Sequence, residues 1–100
     1  MIVMNGNDIN SQQFIMDIST TRLFSVHACL VSGIGNIEIS QSNFNDVDRF
    51  ENISTIEMDV TDPEKKNAVV SVKDAPCKYF MIEFKTVDLQ AVVELEIIYK

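Results

Sequence analysis

Apolar residues along this chain recur mainly at every second position, and the recurrence is clearest near the end. Phe80, Ile82 and Phe84 alternate with Tyr79, Met81 and Glu83; Ala91, Val93, Leu95, Ile97 and Tyr99 alternate with Val92, Glu94, Glu96 and Ile98. A period of two puts each set on its own side of a pleated strand. The same rhythm sets Phe24, Val26, Ala28 and Leu30 on one face, Ile37 and Ile39 against Asn36, Glu38 and Ser40, and Ile56, Met58 and Val60 against Glu57, Asp59 and Thr61. Turn formers interrupt these runs at Asn5-Gly6-Asn7-Asp8, Ser32-Gly33-Ile34-Gly35-Asn36, Ser42-Asn43-Phe44-Asn45-Asp46, Thr61-Asp62-Pro63-Glu64, Lys73-Asp74-Ala75-Pro76 and Val87-Asp88. Strands are therefore predicted near 13–18, 22–31, 36–42, 53–60, 68–72, 78–86 and 90–99, with a further short one at 2–4.

Helix has little to build on. Asp62-Pro63-Glu64-Lys65-Lys66 can form one turn, capped by Asp62 with Pro63 at its first position, but no apolar stripe of period 3.6 extends it. The predicted fold is all-β: a single antiparallel β-sandwich, jelly-roll-like, of about 7–8 strands with little or no helix. Residues 1–12 read as an N-terminal arm or short edge strand and 13–100 as the sandwich domain. The chain ends on a strand, so one sheet-built module is expected to carry the function.

Composition narrows the partners. The chain has 100 residues, 46% of them hydrophobic, and each buried Val, Leu, Ile, Phe or Met stabilises by roughly 1.5–3 kcal/mol, so one core is expected without a metal or disulfide staple. Eight basic against fifteen acidic residues give a formal charge of −7, which disfavours nucleic acid and anionic membrane surfaces. The acidity is skewed to the second half and reads as solubility and protection against edge-to-edge strand pairing. Met1-Ile2-Val3-Met4 is too short for a signal core and lacks a basic flank. Cys29 and Cys77 lie in predicted strands without a CxxC spacing, and two buried free thiols in a reducing compartment are expected, against a disulfide or metal site.

Candidate chemistry is sparse. His27 and Cys29 share one strand face two residues apart, roughly 6–7 Å, too far for a nucleophile and its base. No phosphate-binding, nucleophile-elbow or HExxH motif occurs, and Gly33-Ile34-Gly35 lacks the following helix that phosphate binding requires. No catalytic residue and no cofactor is expected. Asn43, Asn45, Asp46 and Asp48 are the one group of close oxygen donors that could wrap a hard cation such as calcium, with an ordinary turn-rich loop as the alternative. Apolar residues on the supposed solvent side of strands are more informative. Tyr79, Met81, Val92 and Ile98, with Ile2, Val3 and Met4 at the start, form the candidate interface, the alternative being strands buried on both faces.

Leu23-Phe24-Ser25-Val26-His27-Ala28-Cys29-Leu30 before a glycine turn, Ile37 to Asn43 ending in Ser42-Asn43, the strand from Ile53 to Val60, Cys77 to Phe84, and Val93 to Tyr99 follow one another in an order that resembles small β-sandwich structural proteins of tailed bacteriophages, which decorate capsids, form head fibres or occur in tails. The resemblance spans about residues 13–100. Phe50 stands where such proteins carry a tryptophan, and Met81 or Glu83 where an arginine sits, so no binding residue is transferred. It implies a non-enzymatic virion component, made in the host cytoplasm, that contacts a phage capsid or other virion protein and self-associates, with a trimer implied for a head-decorating protein. A carbohydrate-binding or adhesion module is the alternative function, and a small enzyme a third.

Overall fold

A computed structural model describes residues 2–8, 12–18, 23–73 and 77–99, apart from the side chains of Leu23, Lys73 and Tyr99. Its strands are β1 (Ile2–Asn5), β2 (Gln13–Asp17), β3 (Leu23–Ser32), β4 (Ile34–Ser42), β5 (Glu51–Asp59), β6 (Asn67–Lys73), β7 (Tyr79–Lys85) and β8 (Val92–Tyr99). They form two antiparallel four-stranded sheets. The first has the order β1-β8-β3-β6 and the second β2-β7-β4-β5. Eight strands in two sheets, joined mostly by connections that cross from one sheet to the other, make a jelly roll. Ile2–Asn5, expected as an arm or an edge strand, is the edge strand next to β8. The turn expected at 73–76 and residues 9–11 of the expected arm lie, from 74 to 76 and throughout, outside the described residues.

The core fills the space between the sheets with the inward residues of the period-two pattern. Phe24, Val26, Ala28 and Leu30 of β3 and Val93 and Leu95 of β8 face Ile37 and Ile39 of β4 and Phe80, Ile82 and Phe84 of β7. Phe24 and Phe80 meet edge to face across the seam, centroids 4.5 Å apart at 62°, the arrangement favoured by the aromatic quadrupole. Met4 lies in this core at 1% exposure, because β1 pairs with β8 in a register that sets Met4 beside Val93. Ile2, beside Leu95, packs against the same core.

Among the described residues, two short 3-10 turns interrupt the strands. Pro63–Lys65 is capped by the Asp62 carboxylate, as the sequence pattern predicts, and Val47–Arg49 is capped in the same way by Asp46. A bulge in the β4–β5 ladder, where Ile39 faces Ser54 but Ser40 faces Asn52, bends the edge strand β5. Among the described residues no helix is long and apolar enough to cross a membrane.

Because every strand pair is antiparallel, the connections gather at two ends. The β1–β2, β3–β4, β5–β6 and β7–β8 connections share one end, and the β4–β5 loop and the approach to β7 share the other, where the Lys78 N–H donates to Asn43 Oδ1 at 3.1 Å.

Candidate functional site

At the first of these ends, residues 86–91 between β7 and β8 are held by a dense set of short polar contacts. Thr86 Oγ1 donates to the Ile34 carbonyl at 2.6 Å and accepts from the Asp88 N–H at 2.9 Å. The Asp88 carboxylate accepts from the Gln90 N–H at 2.9 Å and from the Ile34 N–H at 3.3 Å. Ser32 Oγ donates to the Gln90 carbonyl at 2.6 Å, and the Gly6 N–H to the Ala91 carbonyl at 2.9 Å. Two glycines make this closeness sterically feasible. A Cβ on Gly6 would strike the Asp88 carbonyl oxygen, and one on Gly33, which adopts φ +79°, would press on the Asp88 carboxylate and Ala91.

The clamp presents apolar side chains to solvent. Val87 is 99% exposed and Leu89 65%, with Ile34 about half exposed on the neighbouring strand. Aliphatic side chains on a mobile loop can turn inward, whereas these alternate with residues bonded to Gly6, Ser32 and Ile34. A fixed loop spends little conformational entropy when a partner covers it.

Beside this loop an open cleft of about 320 Å³ lies over the outer side of the β4–β5 end, lined by Ile34, Asn36, Met58, Lys65, Lys85 and Val87 among others. Gly35 keeps its position free for the Phe84 ring, which a Cβ there would meet. The charges around the cleft are engaged. Lys85 lies 2.7 Å from Glu38 Oε2, an oxygen otherwise removed from solvent, and the Glu38 bond, followed by the Glu83 charge, raises the lysine's pKa. Lys65 pairs with Glu57 at 3.5 Å. Asp59 accepts from the Thr61 hydroxyl at 2.7 Å and the Thr61 N–H at 2.9 Å, bonds that pull its carboxyl below the ordinary aspartate range. With its charges paired, the cleft suits an inserted apolar or neutral polar side chain better than a charged group.

The residues expected from sequence as an interface do not make one patch. Tyr79 and Met81 stand on the outer side of the second sheet, and Val92 and Ile98 on the outer side of the first. Met81 is only 4% exposed although it is on an outer side, Met4 is buried in the core and half-buried Ile2 packs against it, which corrects the expectation of these three as exposed positions. Tyr79 is half-buried with the Lys78 ammonium 5.3 Å from its ring centroid. Val3 and Ile98 are exposed, and Val92 is half-buried. The period-two pattern assigns a side but not a sheet, so the outward residues of β7 and β8, neighbours in sequence, lie on two different surfaces.

In the loop of Asn43, Asn45, Asp46 and Asp48, the Asn43 and Asp46 oxygens are engaged in local contacts. Asn43 Oδ1 accepts from Lys78, one Asp46 oxygen caps Asp48 and the other faces Arg49 at 3.5 Å. Among the described residues no three His, Cys, Asp or Glu side chains group as a metal site. The cysteines are free, yet Cys29 is exposed and Cys77 half-buried, which corrects the expectation of two buried thiols. Cys29 and His27 share the outer side of β3, where His27 stands in register with Glu96 and Val69.

Val87 and Leu89 do not stand out in the sequence, because Val87-Asp88 reads as turn material. The available signal was the type of residue itself, two aliphatics flanking an aspartate in a connection between apolar strands.

No family model and no curated protein matches the sequence. Among solved structures, a family 6 carbohydrate-binding module, studied by crystallography and calorimetry for its binding sub-sites, is similar over 99% of this chain and 82% of its own, at 13% identity and a TM-score of 0.43.

Proposed function

We propose that the chain is a non-enzymatic structural module that docks onto a larger protein assembly through the end of its jelly roll that carries Val87 and Leu89. The observation that carries the reading is the clamped 86–91 loop, which holds two aliphatic side chains in solvent on rigid backbone. Exposed apolar groups of this type are the usual core of a protein contact, with a polar rim here supplied by Lys65, Lys85, Asn36 and Asp59. The setting we propose is a phage virion, as the sequence resemblance implies, with a capsid or other virion protein as the partner.

A sugar-binding role finds less support in the geometry. The cleft has no aromatic side chain among its lining residues, and exposed Phe44, at the opposite end, is already covered by the Arg49 guanidinium 4.6 Å from its ring centroid.

The test is incorporation. Particles released by cells carrying the chain's own genome are banded on a density gradient and probed for the wild-type chain and for a Val87→Asp, Leu89→Asp double variant. The wild type is expected in the particle band and the variant at the top. A wild type absent from the particles removes the virion setting, and a variant that bands normally removes the 86–91 loop from the contact.

A further inference from the structure

Among the described residues, β6 ends the first sheet with no strand on its far side. We propose that the free edge of β6 pairs with the β6 of a second copy, about a two-fold axis at Val70, to make a dimer with one continuous eight-stranded sheet. This goes beyond the docking reading above and does not use its loop, so either can fail alone.

The direction of the backbone groups follows from the ladder. β3 and β6 pair without a shift from Leu23↔Lys73 to Cys29↔Asn67, and the Leu30 N–H donates to the Lys66 carbonyl at 2.8 Å in the continuation of that register. In an antiparallel pair, hydrogen-bonded positions alternate with non-bonded ones. Lys66, Ala68, Val70 and Val72 therefore aim their N–H and C=O groups at β3, and Asn67, Val69, Ser71 and Lys73 aim theirs away. Among the described residues no strand lies beyond β6.

The other three edges are guarded. β1 and β2 have only four and five residues. β5 is bulged, carries Glu51, Glu57 and Asp59, and has Lys65 of the neighbouring 3-10 turn salt-bridged to Glu57. Short length, bulges and charges are the devices that stop edge strands from pairing. β6 has seven residues, Asn-Ala-Val-Val-Ser-Val-Lys, with no proline, no bulge and no charge before its last position.

The sequence of β6 also matches itself. A two-fold axis at Val70 places Val69 opposite Ser71 of the copy and Asn67 opposite Lys73, all four being positions with outward-aimed backbone groups. Ala68 then faces Val72, and Val70 faces Val70, on the core side, where Ala68, Val70 and Val72 are half-buried at the open end of the sandwich. Pairing extends the core across the axis and covers the flank of Val69, which is 62% exposed. Moving the axis to Val69 leaves Val72 and Lys73 without strand partners, and moving it to Ser71 leaves Asn67 and Ala68 without them. The Val70 axis alone uses all seven residues.

Light scattering of the full chain across a concentration series, together with crosslinking, tests the pairing. The wild type is expected to approach twice the 11.3 kDa chain mass at high micromolar concentration. Ser71→Pro replaces an N–H that faces the free edge, so it leaves the β3 ladder intact and is expected to give a monomer with at least tenfold weaker association. Should that variant fold poorly, Val69→Lys with Ser71→Lys brings four ammonium groups together at the seam while altering only exposed side chains. In a Cys29→Ser, Cys77→Ser background, Val70→Cys is expected to form a disulfide-linked dimer, since facing non-bonded residues sit about 4.5 Å apart at Cα, and Ala68→Cys is expected not to. A wild type that stays monomeric or forms trimers overturns the proposal, as does a dimer insensitive to both edge variants or one crosslinked equally by the two cysteines.

Discussion

Asp88 Oδ2, on the loop entering β8, accepts the Ile34 N–H at 3.3 Å, so one carboxylate bridges the β7–β8 connection and the start of β4. The bond ties the loop leaving β7 to the start of β4, its neighbour in the second sheet, while Gln90 and Ala91 of the same loop are bonded to Ser32 of β3 and to Gly6. Asp88 also organises its own loop through Gln90 and meets Thr86, which is itself bonded to the Ile34 carbonyl. A single residue thereby sets both the shape of the loop and its place on the sandwich, and the exposure of Val87 and Leu89 follows from that constraint.

Replacing Asp88 should loosen the loop before it unfolds the domain. Asp88→Ala removes acceptors for the Ile34 and Gln90 N–H groups, and hydrogen bonds to a charged partner contribute about 1.5–3 kcal/mol. Amide exchange at Ile34 and Gln90 is expected to accelerate while exchange in β3 and β7 stays slow. Equal acceleration throughout would show that the clamp is part of the global unfolding unit.

Gly33→Ala is expected to be costly for two independent reasons. A left-handed backbone costs a residue with a Cβ roughly 1–2 kcal/mol, and the new methyl group also presses on Asp88 and Ala91. Urea denaturation should show a lower midpoint than that of Asp88→Ala, because the steric term displaces the loop as well as straining the turn.

Phe80→Ala should lose about 3–5 kcal/mol, since it leaves a cavity opposite Phe24 at the centre of the seam. Val87→Ala, at a fully exposed position, should change stability by no more than about 0.5 kcal/mol. Thermal melts of the two variants separate the residue that holds the module together from the one proposed to dock it.

The Asp59 carboxyl should titrate below an ordinary aspartate, because Thr61 hydrogen-bonds its charged form. A depressed native pKa makes this contribution to stability fully present above the unfolded value, and it is lost as the pH falls through the native one. Side-chain carboxyl NMR follows it directly. Thr61→Val removes the hydroxyl donor, the larger cause, and is expected to move the titration toward the ordinary value while the backbone bond retains part of the shift.

By itself the chain pattern determined the local structure. Alternation marked the strands, the inward faces of β3, β4, β7 and β8, and the Asp62-capped turn, because these depend on residues two to four apart and on the burial of one face. Only the tertiary structure decided which sheet each strand joins. β7 and β8 are adjacent in sequence yet lie in opposite layers, so Met81 and Ile98, apparent neighbours on an outward side, stand on opposite flanks of the molecule, Met81 buried and Ile98 exposed. The clamp around Asp88 was equally out of reach of local reading. It is made by Gly6, Ser32, Gly33, Ile34 and Ala91, drawn from separate connections that meet only when the sheets close, and the exposure of Val87 and the open edge of β6 are decided by that closure.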